Sequence, residues 1–531
     1  MGHLNKHHLS LRVFAAAAAL LMIACGCGKD PSPDASSSAG GASVSDGSDI
    51  VGPAESSAPD GEASSDTSGG TQTNSAGKTT AGKTTPTKTA ASTANGSRPY
   101  KDKKIDLGGR SVTFLMLGGS GTKYPDPDSD GYESILERIA YVEKTYNCKL
   151  KFDTTYGYPE INDYIVTNAL SGLYVADVMY SLPWQTVDPY ITQGIALPLD
   201  KWLDFSHPML AKMKLNKWGE FGGKHYIFTV GQNGVNCGLL YNKDIFKRDD
   251  LEDPFELQQK GQWTWEKFLS IAERATKRDG SGKVTQWGVV TSSGADFLMQ
   301  LLASNGAQPL ALENDRFKVQ FGEKKTMEVF EFLNKIVVQK KCGILTELVL
   351  DAPERGDRMW KQGKAAMAFA SLSTAKLYSP KNCGFIVCPK GPSASGYATP
   401  AHCGPAYMVP STAKDPEVSA RILYDFFARW DTSIPGGYDK DEMDAFMTGS
   451  GQYEQAFCDD DFTTFKLYID KQDTDVMNVV RFNEIQNFLI NCIYAPNVYQ
   501  NVPLSTSIKQ WSAVAEDTIA EVNGKLAEAL K

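Results

Sequence analysis

The feature that most constrains this chain is an alternation of strand-like and helix-like segments that begins at Ile105 and continues to about residue 430. Residues 112–117 form an apolar run that ends in two glycines. Apolar side chains then recur at helical spacing from 135 to 146, and a second short strand pattern follows at 150–152. This β-α-β succession predicts α/β lobes with mainly parallel sheets.

The same reading extends to most of the chain, and its 531 residues predict more than one folded unit. Helices are predicted at 160–171, 265–278, 323–340 and 415–429. Strands are predicted at 176–182, 286–290, 365–370 and 384–388. Trp263 and Trp265 flank Thr264, a predicted helix cap, and are interpreted as packing residues. The remainder, about 435–531, has a mostly helical pattern.

The N-terminus has the character of an export signal. Lys6 and Arg12 precede an apolar run, 13–24, that is too short to span a bilayer. The run ends in Leu-Met-Ile-Ala before Cys25, which resembles a bacterial lipoprotein signal, so residues 1–24 are predicted to be removed and Cys25 to carry the lipid, palmitate included. Cys27 is a second candidate acceptor, and an ordinary cleaved signal peptide is the alternative. Each reading predicts a location outside the cytoplasm.

Residues 25–104 are dominated by small and polar side chains and are predicted to form a flexible tether. As a coil of this composition, roughly 80 residues would span about 50 Å. Residues 77–84 match the phosphate-binding Gly-x-x-x-x-Gly-Lys-Thr pattern. That loop requires a strand before it and a helix after it, and neither is predicted here, so ATP binding is rejected.

Composition excludes several other classes of site. The net charge of -9 argues against non-specific nucleic-acid binding, which needs a basic surface. The eight cysteines after the signal show no disulfide framework. Cys383 and Cys388 flank a predicted strand that would hold their α-carbons roughly 16 Å apart, too far for a disulfide. The cysteine and histidine spacings form no zinc site.

One acidic segment matches a metal-binding pattern. Asp126, Asp128, Asp130 and Gly131, with Glu137 further on, formally satisfy a calcium-binding EF-hand loop. The alternative is a carboxylate-rich turn at the start of a helix, where the helix dipole favours acidic side chains. No metal or cofactor is otherwise expected.

The order of several segments between 105 and about 430 resembles the family-1 extracellular solute-binding proteins, the carbohydrate-binding group that serves ABC importers. The residues that carry the resemblance are Glu137-Arg138-Ile139, Tyr146 to Leu150, Ala176-Asp177-Val178-Met179, Gly194 to Asp200, Gly223-Lys224-His225-Tyr226, Leu240 to Phe246, Trp263 to Phe268, Trp287-Gly288-Val289 and Gly363 to Met367.

The resemblance implies a two-lobed periplasmic-binding-protein-like fold of type II with a helical C-terminal part. The lobes would be joined by hinge crossings near 230–240 and 395–405. Residues 105–531 would form the solute-binding domain. Lobe 1 would comprise about 105–232 and 398–430, and lobe 2 about 240–395 and 435–531. The implied function is capture of a small polar solute, a mono- or oligosaccharide, by a lipid-anchored monomer on the outer face of the cell membrane, and its delivery to importer permease subunits.

Ligands of open α/β sheets bind beyond the carboxyl ends of the strands, and this rule selects the candidate contacts. Trp184 is the candidate aromatic platform for a sugar ring, and the amides of the first crossing are the candidate hydroxyl partners. The candidate ligand-binding residues are Gly119, Tyr124, Trp184, Gln185, Gln232, Asn233, Asn236, Ser371 and His402. For each, a purely structural role is the alternative.

Two other functions are left open. A secreted carbohydrate-active hydrolase needs only two carboxylates, although the chain lacks the Gly-x-Ser-x-Gly and His-Glu-x-x-His motifs. A surface sensor or adhesin could use the same fold without transport. We expect a binding protein rather than an enzyme.

Overall fold

Two mixed β-sheets organise the folded part of the chain. The computed structural model describes residues 98–531 except 102, 120, 130, 159, 212, 230–236, 292–293, 346–355, 372–381, 402–405, 441 and 444–461. The predicted export signal, Cys25 and the phosphate-loop-like segment 77–84 lie outside the described residues. Within the described residues, no helix combines the length and apolar character that crossing a membrane requires.

The first sheet, which we call the lobe 1 sheet, has the strand order β2-β1-β3-β16-β6. Its strands are β1 (Arg110–Leu115), β2 (Cys148–Asp153), β3 (Val178–Ser181), β6 (Phe228–Thr229) and β16 (Ala406–Met408). A small hairpin of β4 (Glu220–Phe221) and β5 (Lys224–His225) lies beside it in sequence. One strand of the lobe 1 sheet, β16, comes from much later in the chain than the other four.

The second sheet, the lobe 2 sheet, has the order β12-β9-β13-β7-β14, with β8 paired to β9. Its strands are β7 (Cys237–Asn242), β8 (Lys277–Arg278), β9 (Val284–Thr291), β12 (Gly343–Leu345), β13 (Ala365–Ser371) and β14 (Cys383–Ile386). Two small pairs accompany it: β10 (Leu310–Glu313) with β11 (Arg316–Val319), and β15 (Thr399–Pro400) with β17 (Gln472–Asp473).

The helices cover the faces of these sheets. They are Tyr132–Tyr146, Glu160–Leu170, Pro183–Gln185, Pro208–Ala211, Lys243–Arg248, Pro254–Gln259, Trp265–Ala275, Gly294–Ser304, Lys324–Asn334, Gly356–Lys361, Pro416–Phe427, Phe462–Asp470, Asn483–Asn487, Ala495–Tyr499 and Leu504–Ala529. Shorter or wider helical turns are Thr186–Ile191, Leu199–Lys201, Lys214–Gly219, Lys335–Gln339, Asp475–Arg481 and Phe488–Tyr494. Thr264 Oγ1 accepts from the Lys267 amide and caps its helix, as predicted.

The prediction of mainly parallel sheets is wrong. Strands β1, β2 and β3 pair in parallel, as do β12, β9 and β13. However, β16 is antiparallel to β3 and β6, and β7 is antiparallel to β13 and β14. Strands β7 and β16 each begin where the chain arrives from the other lobe. A strand that enters at the edge where its neighbours end must run opposite to them.

Pairing registers place the crossings at one edge of each sheet. Ala406 pairs with both Ser181 and Thr229, and Cys237 pairs with Ser371. Eight residue steps separate Thr229 from Cys237, so these two strand ends lie at most about 29 Å apart. The carboxyl edges of the two sheets are thus linked by a short segment between β6 and β7, and the chain returns to lobe 1 between β14 and β16, the arrangement expected of a type II two-lobed protein.

Apolar side chains form one cluster shared by both lobes and two that cover the outer faces. The shared cluster includes Met179 of lobe 1, Phe369 of lobe 2 and Phe488 of the C-terminal helices. The C-terminal helices therefore contact both lobes rather than lobe 2 alone. Both sheets and the C-terminal helices therefore contribute side chains to one continuous apolar cluster.

A buried arginine marks this junction. Arg481 Nη1 donates to the Trp218 carbonyl oxygen at 2.6 Å, and its guanidinium lies 4.1 Å from the centre of the Trp218 ring. Phe221 of lobe 1 and Phe317 of the β10–β11 hairpin also lie against the same guanidinium. At the end of the last helix, Lys525 Nζ lies 3.6 Å from Asp188 Oδ2.

The folded part begins earlier than the tether boundary predicted at 104. Arg98 Nη1 donates to Asp425 Oδ1 at 2.8 Å, and Tyr100 Oη donates to the same oxygen at 2.6 Å. Both residues are therefore bound to the helix Pro416–Phe427.

The prediction that Cys383 and Cys388 form no disulfide with each other is confirmed, since Cys388 is a buried free thiol.

Candidate functional site

The carboxyl edge of the lobe 1 sheet carries an aromatic pair. Trp184 follows β3 directly, in the short helix Pro183–Gln185, and its ring meets that of Tyr158 edge to face at 5.8 Å. Tyr158 follows β2 and is 53% exposed. Trp184 itself is half-buried, and its Nε1 has no hydrogen-bond partner among the described residues. The pair combines a fixed ring with an accessible one, which suits stacking against a sugar.

Glycines shape the loop that follows β1 at the same edge. A Cβ on Gly118 would lie 2.3 Å from the Thr154 carbonyl oxygen, so only glycine lets these two loops approach. Gly119 has a φ of 143°, which favours glycine, and nothing lies within 4 Å of where its Cβ would be. The open space at Gly119 agrees with the predicted contact, which stays a prediction.

Gln185 and Tyr124 occupy different surroundings from Trp184. Gln185 is buried, and its Oε1 accepts from Tyr190 Oη at 3.3 Å. Tyr124 packs against Phe152 at 4.9 Å, within the apolar cluster on the other face of the sheet. The structure therefore does not gather all the lobe 1 candidates into one surface, and their roles as ligand contacts remain predictions.

The remaining candidates fall on the crossings or next to them. Ser371 is the last residue of β13 and lies at the predicted carboxyl edge, where its backbone pairs with that of Cys237. Its side chain lies outside the described residues. The same holds for the whole of Gln232, Asn233, Asn236 and His402.

Sequence reasoning missed two groups on the edges. Tyr158 was not selected, although it follows β2 as Trp184 follows β3. On lobe 2, Asp296 lies in the first turn of the helix after β9, and its Oδ2 accepts from Cys237 Sγ at 3.3 Å. Thr291, the last residue of β9, precedes Asp296 by five positions and is fully buried. The carboxyl-end rule, applied to β2 and β9, would have found all three.

The calcium alternative has little support from geometry. Asp126 Oδ1 accepts from the Asp128 amide at 3.1 Å, which is a turn rather than a ligand arrangement. Among the described residues, no three His, Cys, Asp or Glu side chains are grouped to hold a metal ion. Asp130 lies outside them, and Glu137 lies in the second turn of the helix Tyr132–Tyr146, so the calcium alternative remains untested.

Comparisons with known proteins agree with this architecture. Three solved structures cover 78–79% of this chain and 97–100% of their own: the sugar-binding protein MalE of Xanthomonas citri (TM-score 0.53, 13% identity), M. tuberculosis UspC (0.52, 14%) and an ABC substrate-binding protein of Listeria monocytogenes in complex with cycloalternan (0.51, 15%). At these identities the similarity shows the fold. A sequence comparison with curated proteins gives no match.

The family is shown by a separate sequence comparison. The model of the bacterial extracellular solute-binding proteins matches residues 126–429, more than half of the chain. The matched range runs from the loop after β1 to just beyond the helix Pro416–Phe427, and so includes the lobe 2 sheet, the lobe 1 sheet except β1, and both crossings. This chain therefore belongs to the family of bacterial extracellular solute-binding proteins.

Proposed function

We propose that this protein captures a carbohydrate between its two lobes and delivers it to an ABC importer. Membership of the solute-binding family supports binding of a small molecule. Two of the similar structures are named as a sugar-binding protein and as a complex with cycloalternan. The observation that carries the choice of ligand is the Tyr158–Trp184 pair at the carboxyl edge of lobe 1.

The pair supports a sugar for a physical reason. Sugar rings present an apolar face that stacks on aromatic rings, while their hydroxyls need polar partners. Tyr158 and Trp184 provide the rings on lobe 1, and Asp296 is an acceptor on the edge of lobe 2. The amides of the first crossing, Gln232 and Asn233, are proposed as further partners. Binding between lobes implies closure by hinge motion.

A thermal-shift screen over mono- and oligosaccharides, with peptides as comparison ligands, tests the ligand class. Calorimetry on the best hit should then show that Trp184→Ala and Tyr158→Ala each weaken binding at least about tenfold, which corresponds to the loss of one stacking contact plus its buried area. Tyr499→Ala, a half-exposed tyrosine of the C-terminal helices, is the matched control. Unchanged affinity in both edge variants would remove the pair from the site.

Products analysed after incubation separate a receptor from the hydrolase alternative, because a receptor leaves oligosaccharides intact. A membrane anchor at Cys25 is proposed from the signal pattern alone. Cys25→Ser should abolish incorporation of labelled palmitate, and Cys27→Ser should not. Permease genes beside its own gene would support transport over a sensor or adhesin role.

A further inference from the structure

A cavity lies beside the sheet of lobe 1. It measures about 240 Å³ and is lined by Tyr124, Arg138, Tyr407, Arg429 and Tyr438, together with apolar side chains of the flanking helices. Its volume is below the range of about 300–1,000 Å³ that is typical of sites for larger ligands. Its lining residues, Tyr438 included, pack in the apolar cluster of lobe 1 or beside it, and none lies on the lobe 2 sheet, so the cavity does not depend on the closure of the lobes.

The first of its two arginines is completely buried without a carboxylate bonded to it. Arg138 Nη1 donates to the Asp425 carbonyl oxygen at 3.1 Å, and Nη2 donates to that of Ala428 at 3.3 Å. These carbonyls end the helix Pro416–Phe427, so the guanidinium caps it. Nε has no partner among the described residues. Burial lowers the pKa of Arg138 to about 10, which leaves it cationic at neutral pH.

The second arginine is held beside the first by the local backbone. Arg429 Nη2 donates to Glu442 Oε1 at 3.2 Å, and its guanidinium lies 4.5 Å from the centre of the Tyr438 ring. A Cβ on Gly131 would come within 3.1 Å of Nη1, and the φ of 75° at this position also favours glycine. Arg429 Nε is buried with no partner among the described residues. Glu442 bonds to Arg429, and the carboxylates of Asp431 and Asp425 lie close enough to Arg138 to oppose the effect of burial on its pKa.

Two phenol groups add hydrogen-bond donors to the cavity. Tyr407 is buried and Tyr124 is half-buried, and both line the cavity. Burial raises the pKa of Tyr124 to about 12 and that of Tyr407 further, so both hydroxyls keep their protons and can donate. The buried donors without an acceptor among the described residues are instead the Nε atoms of Arg138 and Arg429, and such donors are rare because they lose their hydration.

We infer that this cavity binds a small oxyanion, such as phosphate or a carboxylate. An anion would accept from the two hydroxyls and from the guanidinium groups more strongly than a sugar hydroxyl would, because hydrogen bonds to a charged acceptor are the stronger ones. The site is separate from the proposed carbohydrate site. It would attach an anion to the loop after β1 and to the turn after the helix Pro416–Phe427, and so stabilise lobe 1.

The test uses calorimetry and thermal unfolding of the whole protein with sodium phosphate, sodium acetate and sodium chloride at equal ionic strength. Saturable binding of phosphate or acetate is expected, with chloride as the baseline. Tyr124→Phe, which keeps the ring, and Arg429→Gln should each weaken it at least about tenfold, as for loss of a hydrogen bond to a charged group. Tyr156→Phe and Arg274→Gln are the matched controls.

Equal effects of all three salts, or wild-type titrations in both Tyr124→Phe and Arg429→Gln, would overturn the inference and indicate a water-filled cavity. Tyr124→Phe keeps the test decisive if Arg429→Gln fails to fold. Phosphate binding that persists in Trp184→Ala would show that this site stands independently of the carbohydrate proposal.

Discussion

The two lobes have the same kind of sheet but cover it with different chemistry. In lobe 1, the helix Pro416–Phe427 buries Asp425, whose side chain accepts from Arg98, Tyr100 and Tyr146. In lobe 2, three buried tryptophans, Trp263, Trp265 and Trp360, dominate the packing. The difference begins at the N-terminal segment, which brings the charged side chain of Arg98 to lobe 1. That charge can be buried there because the Asp425 carboxylate compensates it. Sheet topology therefore does not determine how a sheet face is filled.

The largest expected effect concerns the apolar lobe. Trp263 is fully buried and its Nε1 donates to the Val387 carbonyl oxygen at 2.9 Å. Trp263→Ala should lower the free energy of unfolding by about 3–5 kcal/mol, as for other large-to-small core changes. Denaturant unfolding monitored by circular dichroism measures it. Trp263→Phe should have a free energy of unfolding between those of the wild type and of Trp263→Ala. A loss below about 1 kcal/mol for Trp263→Ala would contradict the conclusion that buried tryptophans dominate the packing of lobe 2.

The next prediction addresses the polar lobe. Arg98→Met removes the cationic partner of the fully buried Asp425 carboxylate and should cost about 3 kcal/mol of unfolding free energy. Lys101→Met, an exposed neighbour on the same segment, is the control and should change stability little. If both variants unfold alike, the network does not bind the N-terminal segment, and the contrast between the lobes fails.

The junction between the lobes should have an intermediate effect. Arg481→Met keeps much of the side-chain volume but removes the hydrogen bond to Trp218 and the contact with its ring. We expect a loss of about 2 kcal/mol in unfolding free energy. Arg274→Met, on the exposed face of a lobe 2 helix, serves as the comparison. Separate unfolding transitions for the two lobes in Arg481→Met would sharpen the result, whereas wild-type behaviour would argue against coupling through Arg481.

The smallest effect is an acid-dependent one on the surface of lobe 2. Hydrogen bonds from Arg248, more than any other cause, lower the pKa of Asp249 to about 2. A depressed folded-state pKa means that the stabilisation is complete above about pH 4 and is lost as the pH falls toward 2. After allowance for solvent screening, Asp249→Asn should cost at most about 1 kcal/mol at pH 7. The difference from wild type should shrink by pH 2.5, and a pH-independent difference would refute the assignment.

Much of the fold could be predicted from local pattern. The helix predicted at 323–340 is present as Lys324–Asn334 continued by Lys335–Gln339, and the strand predicted at 365–370 is Ala365–Ser371. Trp263 and Trp265 are buried, as predicted from their position beside a helix cap. These features depend on spacing along a few turns or a few residues of strand, which a sequence displays directly.

The candidate site was predicted less completely. Trp184 was selected by its position after β3, but its neighbour Tyr158 was not, although the same rule applies to it. The antiparallel direction of β7 and β16 was missed because it depends on the edge at which each strand enters. Arg481 could not be assigned a partner, since Trp218 lies 263 residues away and no local pattern pairs them.

The sequence by itself determined the α/β alternation, the burial of Trp263 and Trp265 and the family resemblance, because periodicity and short motifs are local properties. Only the tertiary structure decided the strand directions, the bridging role of the C-terminal helices and the meeting of Arg138, Arg429, Tyr124 and Tyr407 around one cavity. These features arise when segments hundreds of residues apart pack together, and the free energy of such contacts depends on geometry that no single segment contains.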